Sequence, residues 1–175
     1  MFAPRGTGFL WGKSDAWRQT RPTIPAFDPD GMVTWEAWMN RKPLPPTQAA
    51  FVSPGGFLAF EHVLAIPAAF EMHRTLGRGQ IASRIDELST AFKDGASKIR
   101  GVTMHTPRDP RLSAGISCFD VAGLSAEAVT QRLTARKFRT TSSPYKTSHA
   151  RVATGVMNTP AEIERVLEAI RQIAT

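Results

Sequence analysis

The chain has 175 residues but only one cysteine, Cys118, so no internal disulfide can form. Such usage fits a reducing compartment, and the sequence predicts a cytoplasmic protein. No run of about 18 apolar residues occurs, so no membrane span is expected. The opening residues contain Pro4, Arg5, Gly6 and Gly8 and lack the basic start, apolar run and small-residue cleavage site of a signal peptide. Internal repeats and low-complexity tracts are also missing. Acidic residues are in deficit, 15 against 22 basic ones, for a formal charge of +7. The excess is scattered. Its tightest cluster is Arg132, Arg136, Lys137 and Arg139, with Phe138 as the sole interleaved aromatic. That reads as a solvated helix end, and no nucleic-acid partner is expected.

What is present suits a globular protein. Apolar residues make up 42%, enough for one genuine core. The chain divides near residue 58. Residues 1–58 carry eight of the 13 prolines and all four tryptophans, and are expected to be largely irregular. Within them, 8–11 reads as a short strand, 34–39 as a helical turn capped by Thr34, and 43–46 as a stiff extended linker. From residue 59 the pattern becomes regular. Residues 60–76 read as a helix with Leu64, Ala68, Ala69 and Met72 on one stripe, kinked or restarted at Pro67. Gly77, Arg78 and Gly79 break it. Ile81, Ile85, Leu88 and Phe92 recur at amphipathic-helix spacing. Strands are predicted at 102–106, 115–121, 138–140 and 151–153, with a turn at 107–110. Ser125 is an N-cap for a helix through Val129 and Leu133. Thr159, Pro160 and Glu162 form a capping-box signature for a final helix. Together these predict an α+β domain, a short antiparallel sheet with helices packed on one face.

Candidate sites are sparse. Gly12-Lys13-Ser14 resembles the end of a phosphate-binding loop, but the required first glycine falls on Thr7. His62, His73, His105 and His149 show no ligand spacing on one helix, so no metal site is expected. Cys118, in a predicted strand, reads as a small buried hydrophobe. Ser53-Pro54-Gly55-Gly56 precedes a helix, where successive backbone N–H groups can cup an anion. Arg151 follows the hydroxyl-rich stretch 140–149. An arginine there suits either a two-pronged carboxylate clamp or a structural ion pair.

Several segments together resemble class V aminotransferases, which are fold-type I pyridoxal-phosphate enzymes, and in particular the isopenicillin N epimerase-like branch. Residues 2–11 resemble the family segment that follows the cofactor lysine. Residues 53–61 resemble the stretch that reaches the phosphate of the neighbouring subunit's cofactor. Thr106-Pro107 and the run 113–119 resemble the central strand region of the small domain. Ser143-Pro144-Tyr145, Arg151-Val152-Ala153 and Met157-Asn158-Thr159 with Glu162 resemble the closing signature.

This resemblance covers essentially the whole chain. It implies a remnant of the cofactor-binding large domain over 1–58 and the small C-terminal domain over 59–175. It assigns Arg151 to the substrate α-carboxylate and Ser53, Gly55 and Gly56 to the neighbourhood of the cofactor phosphate. It also implies a homodimer acting on an amino-acid-like substrate, with pyridoxal phosphate in the intact parent. The family lysine, in a His-Lys-Trp-like motif, would lie just ahead of Met1. Lys13, Lys42, Lys93, Lys98, Lys137 and Lys146 stand in other contexts. No catalytic residue is therefore assigned, no cofactor is expected on this chain alone, and the chain alone is expected to be inactive. Desulfurase chemistry is disfavoured, because the loop before Arg151 offers Ser142, Ser143 and Tyr145 but no cysteine. Epimerase, lyase or aminotransferase chemistry remains. The rival expectation is a stand-alone interaction or assembly module that has lost cofactor chemistry, docking through its tryptophan-rich first third.

Overall fold

The computed structural model describes residues 3–22, 26, 29, 31–52 and 59–174. The chain separates into two compact units, Met1–Thr75 and Leu76–Thr175. The division expected near residue 58 adjoins 53–58, which lie outside the described residues.

The first unit holds α1 (Ser14–Gln19), α2 (Met32–Met39), a 3-10 turn at Ala49–Val52, α3 (Phe60–Leu64) and α4 (Ile66–Leu76, the last residue counting with the second unit). No strand forms at 8–11. Phe9, Leu10 and Trp11 are exposed there, Trp11 by 77%. Helix α2 starts earlier than expected, with Gly31 rather than Thr34 at its cap. A side chain at Gly31 would bring its Cβ to 2.0 Å from the Ala26 carbonyl oxygen, so the close approach requires glycine. Trp35 Nε1 donates to that same carbonyl at 3.1 Å. The proline-bearing stretch 43–46, expected to be an extended linker, forms no helix or strand. Ala65 separates α3 from α4, and Pro67 takes the second position of α4, where a missing N–H is tolerated. Of the expected apolar stripe, only Ala69 is buried.

The second unit holds α5 (Arg78–Ala96), β1 (Val102–Met104), β2 (Ile116–Val121), α6 (Ala126–Ala135), β3 (Thr141–Ser142), β4 (Ala150–Ala153) and α7 (Pro160–Ile173). The strands form one sheet in the order β1-β2-β4-β3, every pair antiparallel. Helices α5 and α6 pack against the sheet, and α7 packs against both of them. Gly79 sits inside α5; the break expected over 77–79 is made by Gly77 alone, whose φ is 81°. The predicted face of α5 points inward, with Leu88 and Phe92 fully buried. Phe92 meets Phe119 of β2 edge-on, ring centroids 5.8 Å apart. Ser125 caps α6 by accepting the Ala128 N–H, and both hydrogen bonds of the Thr159–Glu162 capping box form on α7. At Gly95 a Cβ would meet Leu167 at 2.3 Å, so glycine lets α5 and α7 close together.

The strand expected at 138–140 lies instead at Thr141–Ser142, for a reason local to the end of α6. Lys137 adopts a left-handed φ of 68°. The Lys137 N–H bonds the Thr134 carbonyl at 2.9 Å and the Phe138 N–H bonds the Leu133 carbonyl at 3.0 Å. This is a Schellman-type stop, with Phe138 turned onto the core as its hydrophobic contact.

Lys93 is 4% exposed. Its ammonium donates to the Pro107 and Arg108 carbonyls at 3.1 and 3.2 Å and to Ser113 Oγ at 2.9 Å. All three of its donors are engaged, and they tie the loop between β1 and β2 to α5.

Two outcomes follow for stability. Ile170→Ala, at a fully buried position of α7, should cost about 2–5 kcal/mol in urea unfolding. Lys93→Met should cost about 1–3 kcal/mol by removing the ammonium donor from the Pro107 and Arg108 carbonyls and from Ser113 Oγ. An unchanged urea midpoint for Lys93→Met would contradict its role as the loop's anchor.

Candidate functional site

Alternation along β2 sorts its side chains. Ser117, Phe119 and Val121 are buried among the helices, while Ile116, Cys118 and Asp120 lie on the opposite face. In β4, Ala150 and Val152 are buried and Arg151 faces the other way. The register pairs Cys118 with Arg151 and Arg151 with Thr141, so the sheet carries a polar face away from the helices. Cys118 is therefore not the buried hydrophobe expected of it. It is half-buried on this polar face, opposite Arg151.

Arg151 is half-buried, and its Nε donates to Thr141 Oγ1 at 3.2 Å. Among the described residues it forms no ion pair. It borders an open cavity of about 450 Å³ with Glu127, Thr130, Gln131, Thr141, Ser142 and Pro144. The loop leading to it is braced from inside. Buried Ser143 accepts the His149 N–H on its Oγ at 2.9 Å and the Ser148 hydroxyl on its carbonyl at 2.7 Å. Ser53, Gly55 and Gly56, the other predicted site residues, lie outside the described residues.

A second constellation shares the polar face. His105 Nε2 lies 2.7 Å from Asp120 Oδ2, and His149 Nδ1 lies 2.9 Å from Asp120 Oδ1. The two imidazole centroids are 4.0 Å apart. A bulge aims His105: the N–H groups of both His105 and Thr106 point at the Cys118 carbonyl, at 2.9 and 3.4 Å. The carboxylate can only accept, so each imidazole presents an N–H to it. Asp120 titrates below the ordinary carboxylate value. Partial burial alone would raise it, but the hydrogen bonds from His149 and His105 outweigh that effect. Helical ligand spacing does not reveal this trio, because Asp120 lies in β2 while His105 directly follows β1 and His149 directly precedes β4. The detectable signal was the alternation of β2 together with the antiparallel returns on both sides.

No family model matches the chain. It is 30% identical over 118 residues to an isopenicillin N epimerase of Amycolatopsis lactamdurans, covering 63% of this chain and 29% of that protein. Among solved structures it is similar to a cysteine desulfurase of Thermococcus onnurineus NA1, with TM-score 0.65, 18% identity, and coverage of 90% of this chain and 39% of that one. It is similar as well to a cysteine desulfurase of Escherichia coli, with TM-score 0.67, 17% identity, and coverage of 93% and 41%. A cystine C-S lyase gives TM-score 0.67 at 16% identity, with coverage of 90% and 40%. The chain thus spans less than a third of the curated relative and about two-fifths of these solved chains. The likeness to isopenicillin N epimerase-like proteins read from the motifs reappears in the sequence comparison, and the solved structures share the α+β fold.

The described lysines do not fit the cofactor by themselves. Lys93 has its ammonium locked by three acceptors, and Lys13, Lys42, Lys98, Lys137 and Lys146 are exposed. A Schiff-base lysine needs a protected setting with a free amine.

The Asp120 pairings carry a pH signature. With its folded pKa depressed, Asp120's contribution is complete above the value of an unfolded aspartate, near 3.9, and is lost as pH falls through the lower folded value. The side chain is 41% exposed, and solvent screening keeps the contribution under about 1 kcal/mol. Asp120→Asn should therefore lower urea stability slightly at about pH 7 and leave it unchanged at about pH 2. Equal losses at both pH values would contradict the pairing.

Proposed function

We propose that this chain is the C-terminal portion of a class V pyridoxal-phosphate enzyme, in which Arg151 binds the α-carboxylate of an amino-acid-like substrate. The observation that carries this reading is Arg151 itself. Among the described residues it forms no ion pair, and it lies on the polar face of the sheet beside an open cavity and a hydroxyl-bearing loop. Its guanidinium has one nitrogen steadied by Thr141 Oγ1, and a carboxylate can take two parallel N–H donors from the rest of the fork. Such a clamp holds and orients the substrate; it moves no proton.

On this reading, 1–58 is a remnant of the large domain and 59–175 is the small domain. Ser53, Gly55 and Gly56 lie near the phosphate of the neighbouring subunit's cofactor, and the parent is a cytoplasmic homodimer. The 175 residues alone hold no pyridoxal phosphate and perform no chemistry, for want of a suitable lysine. The absence of cysteine from 140–149 favours epimerase, lyase or aminotransferase chemistry over desulfurase chemistry.

A second reading draws on the first unit. Leu10, Trp11, Trp38 and Leu64 are strongly exposed, which suits docking on a partner or a second copy. A strictly monomeric species in concentrated solution, by light scattering, counts against that module.

Two measurements test the main reading. In the complete enzyme, Arg151→Ala should weaken carboxylate substrates by about 1.5–3 kcal/mol, roughly ten- to hundredfold in KM. Unchanged KM and kcat would overturn the clamp. The 175-residue chain, incubated with pyridoxal phosphate and reduced with borohydride, should show no dominant modified lysine on peptide mapping. A single stoichiometric adduct would contradict the absence of a cofactor site.

A further inference from the structure

We propose that His105, Asp120 and His149 form a binding site for a divalent first-row metal ion, of the zinc and cobalt class, on the polar face of the sheet. The proposal stands on its own geometry, and its outcome does not bear on the role of Arg151.

The ligand atoms are one imidazole nitrogen from each histidine and one carboxylate oxygen, and all lie within 4.8 Å of one another. Two imidazoles and a carboxylate are a donor set that suits zinc and its neighbours. Such ions need ligands at about 2.0–2.2 Å, which sets ligand-to-ligand separations of roughly 3–3.5 Å. Asp120 Oδ2 lies 2.7 Å from His105 Nε2 and 3.1 Å from His149 Nδ1, and with the overall span of 4.8 Å these separations bracket that requirement.

The scaffold is rigid where it matters. Asp120 lies in the central strand β2, His105 directly follows β1, and His149 directly precedes β4. The backbone of His149 is tied to Ser143, and that of His105 to Cys118. Access is open: the His105, Asp120 and His149 side chains are 36%, 41% and 24% exposed. Three protein ligands leave a fourth position to water or an anion, the arrangement of an open rather than a closed zinc site. Entry of the ion replaces the hydrogen-bonded protons between the histidines and the carboxylate, so binding releases protons and strengthens with rising pH. His149 and Arg151 are two residues apart on one face, roughly 7 Å along the strand, so the ion would add a second positive centre to that face.

Titration of the full 175-residue chain with Co²⁺ at about pH 7.5, read by its visible absorption and by calorimetry, tests the site. One ion per chain is expected, competed by Zn²⁺, with a low-coordinate visible band. His105→Gln, His149→Gln and Asp120→Asn should each weaken binding at least tenfold with the far-ultraviolet circular dichroism of the parent retained. The double variant His62→Gln/His73→Gln should bind as the parent does. No Co²⁺ band, or parental affinity retained in His105→Gln and Asp120→Asn, would overturn the proposal, as would loss of binding in the His62/His73 variant alone.

Discussion

Burial of one side of β2 is the constraint on which the second unit depends. Phe119 and Val121 sit in the core with almost no exposure, and each contributes about 1.5–3 kcal/mol by leaving water. The residues between them, Cys118 and Asp120, point the other way. A register slip of one residue would expose the aromatic ring and drive a carboxylate among Leu88, Phe92 and Leu133. Burying that charge without a partner costs several kcal/mol, so both halves of the alternation favour the same register. Because β2 is flanked by β1 and β4, its register also sets where His105, His149 and Arg151 stand.

The two units treat their apolar residues differently. In the second, α5 and α6 pack on a four-stranded sheet with α7 against them, and the core is continuous from Leu88 through Phe119 to Ile173. In the first, few described side chains are buried, and aromatic residues such as Trp11 and Trp38 remain exposed. A body that leaves such rings in water gains by contact with more protein.

Local chemistry was legible in the sequence where one short segment decides the outcome. The caps at Ser125 and Thr159, the inward face of α5 and the restart at Pro67 each depend on neighbours within one or two turns. The antiparallel sheet was legible from its short returns. Expectations failed where the outcome is decided by a backbone conformation or close approach that residue type alone does not announce. The strand expected at 138–140 gave way to a helix stop at Lys137, an unusual residue for a left-handed position. Gly31 took the cap from Thr34 because of the Ala26 carbonyl. Arg151 was found through a resemblance and a hydroxyl-rich neighbourhood. The His105–Asp120–His149 trio was not found, since only strand pairing brings positions so far apart in sequence together.

The most direct test of this account is the protonation pattern of the two imidazoles, read by nitrogen-proton correlation spectra of metal-free, ¹⁵N-labelled chain above the histidine titration range. If β2 presents Asp120 between its neighbours, His105 carries its proton on Nε2 and His149 on Nδ1, and both sets of signals move when Asp120 is replaced by asparagine. Imidazoles whose tautomers differ from these, or whose signals ignore Asp120, would contradict the register on which the polar face is built.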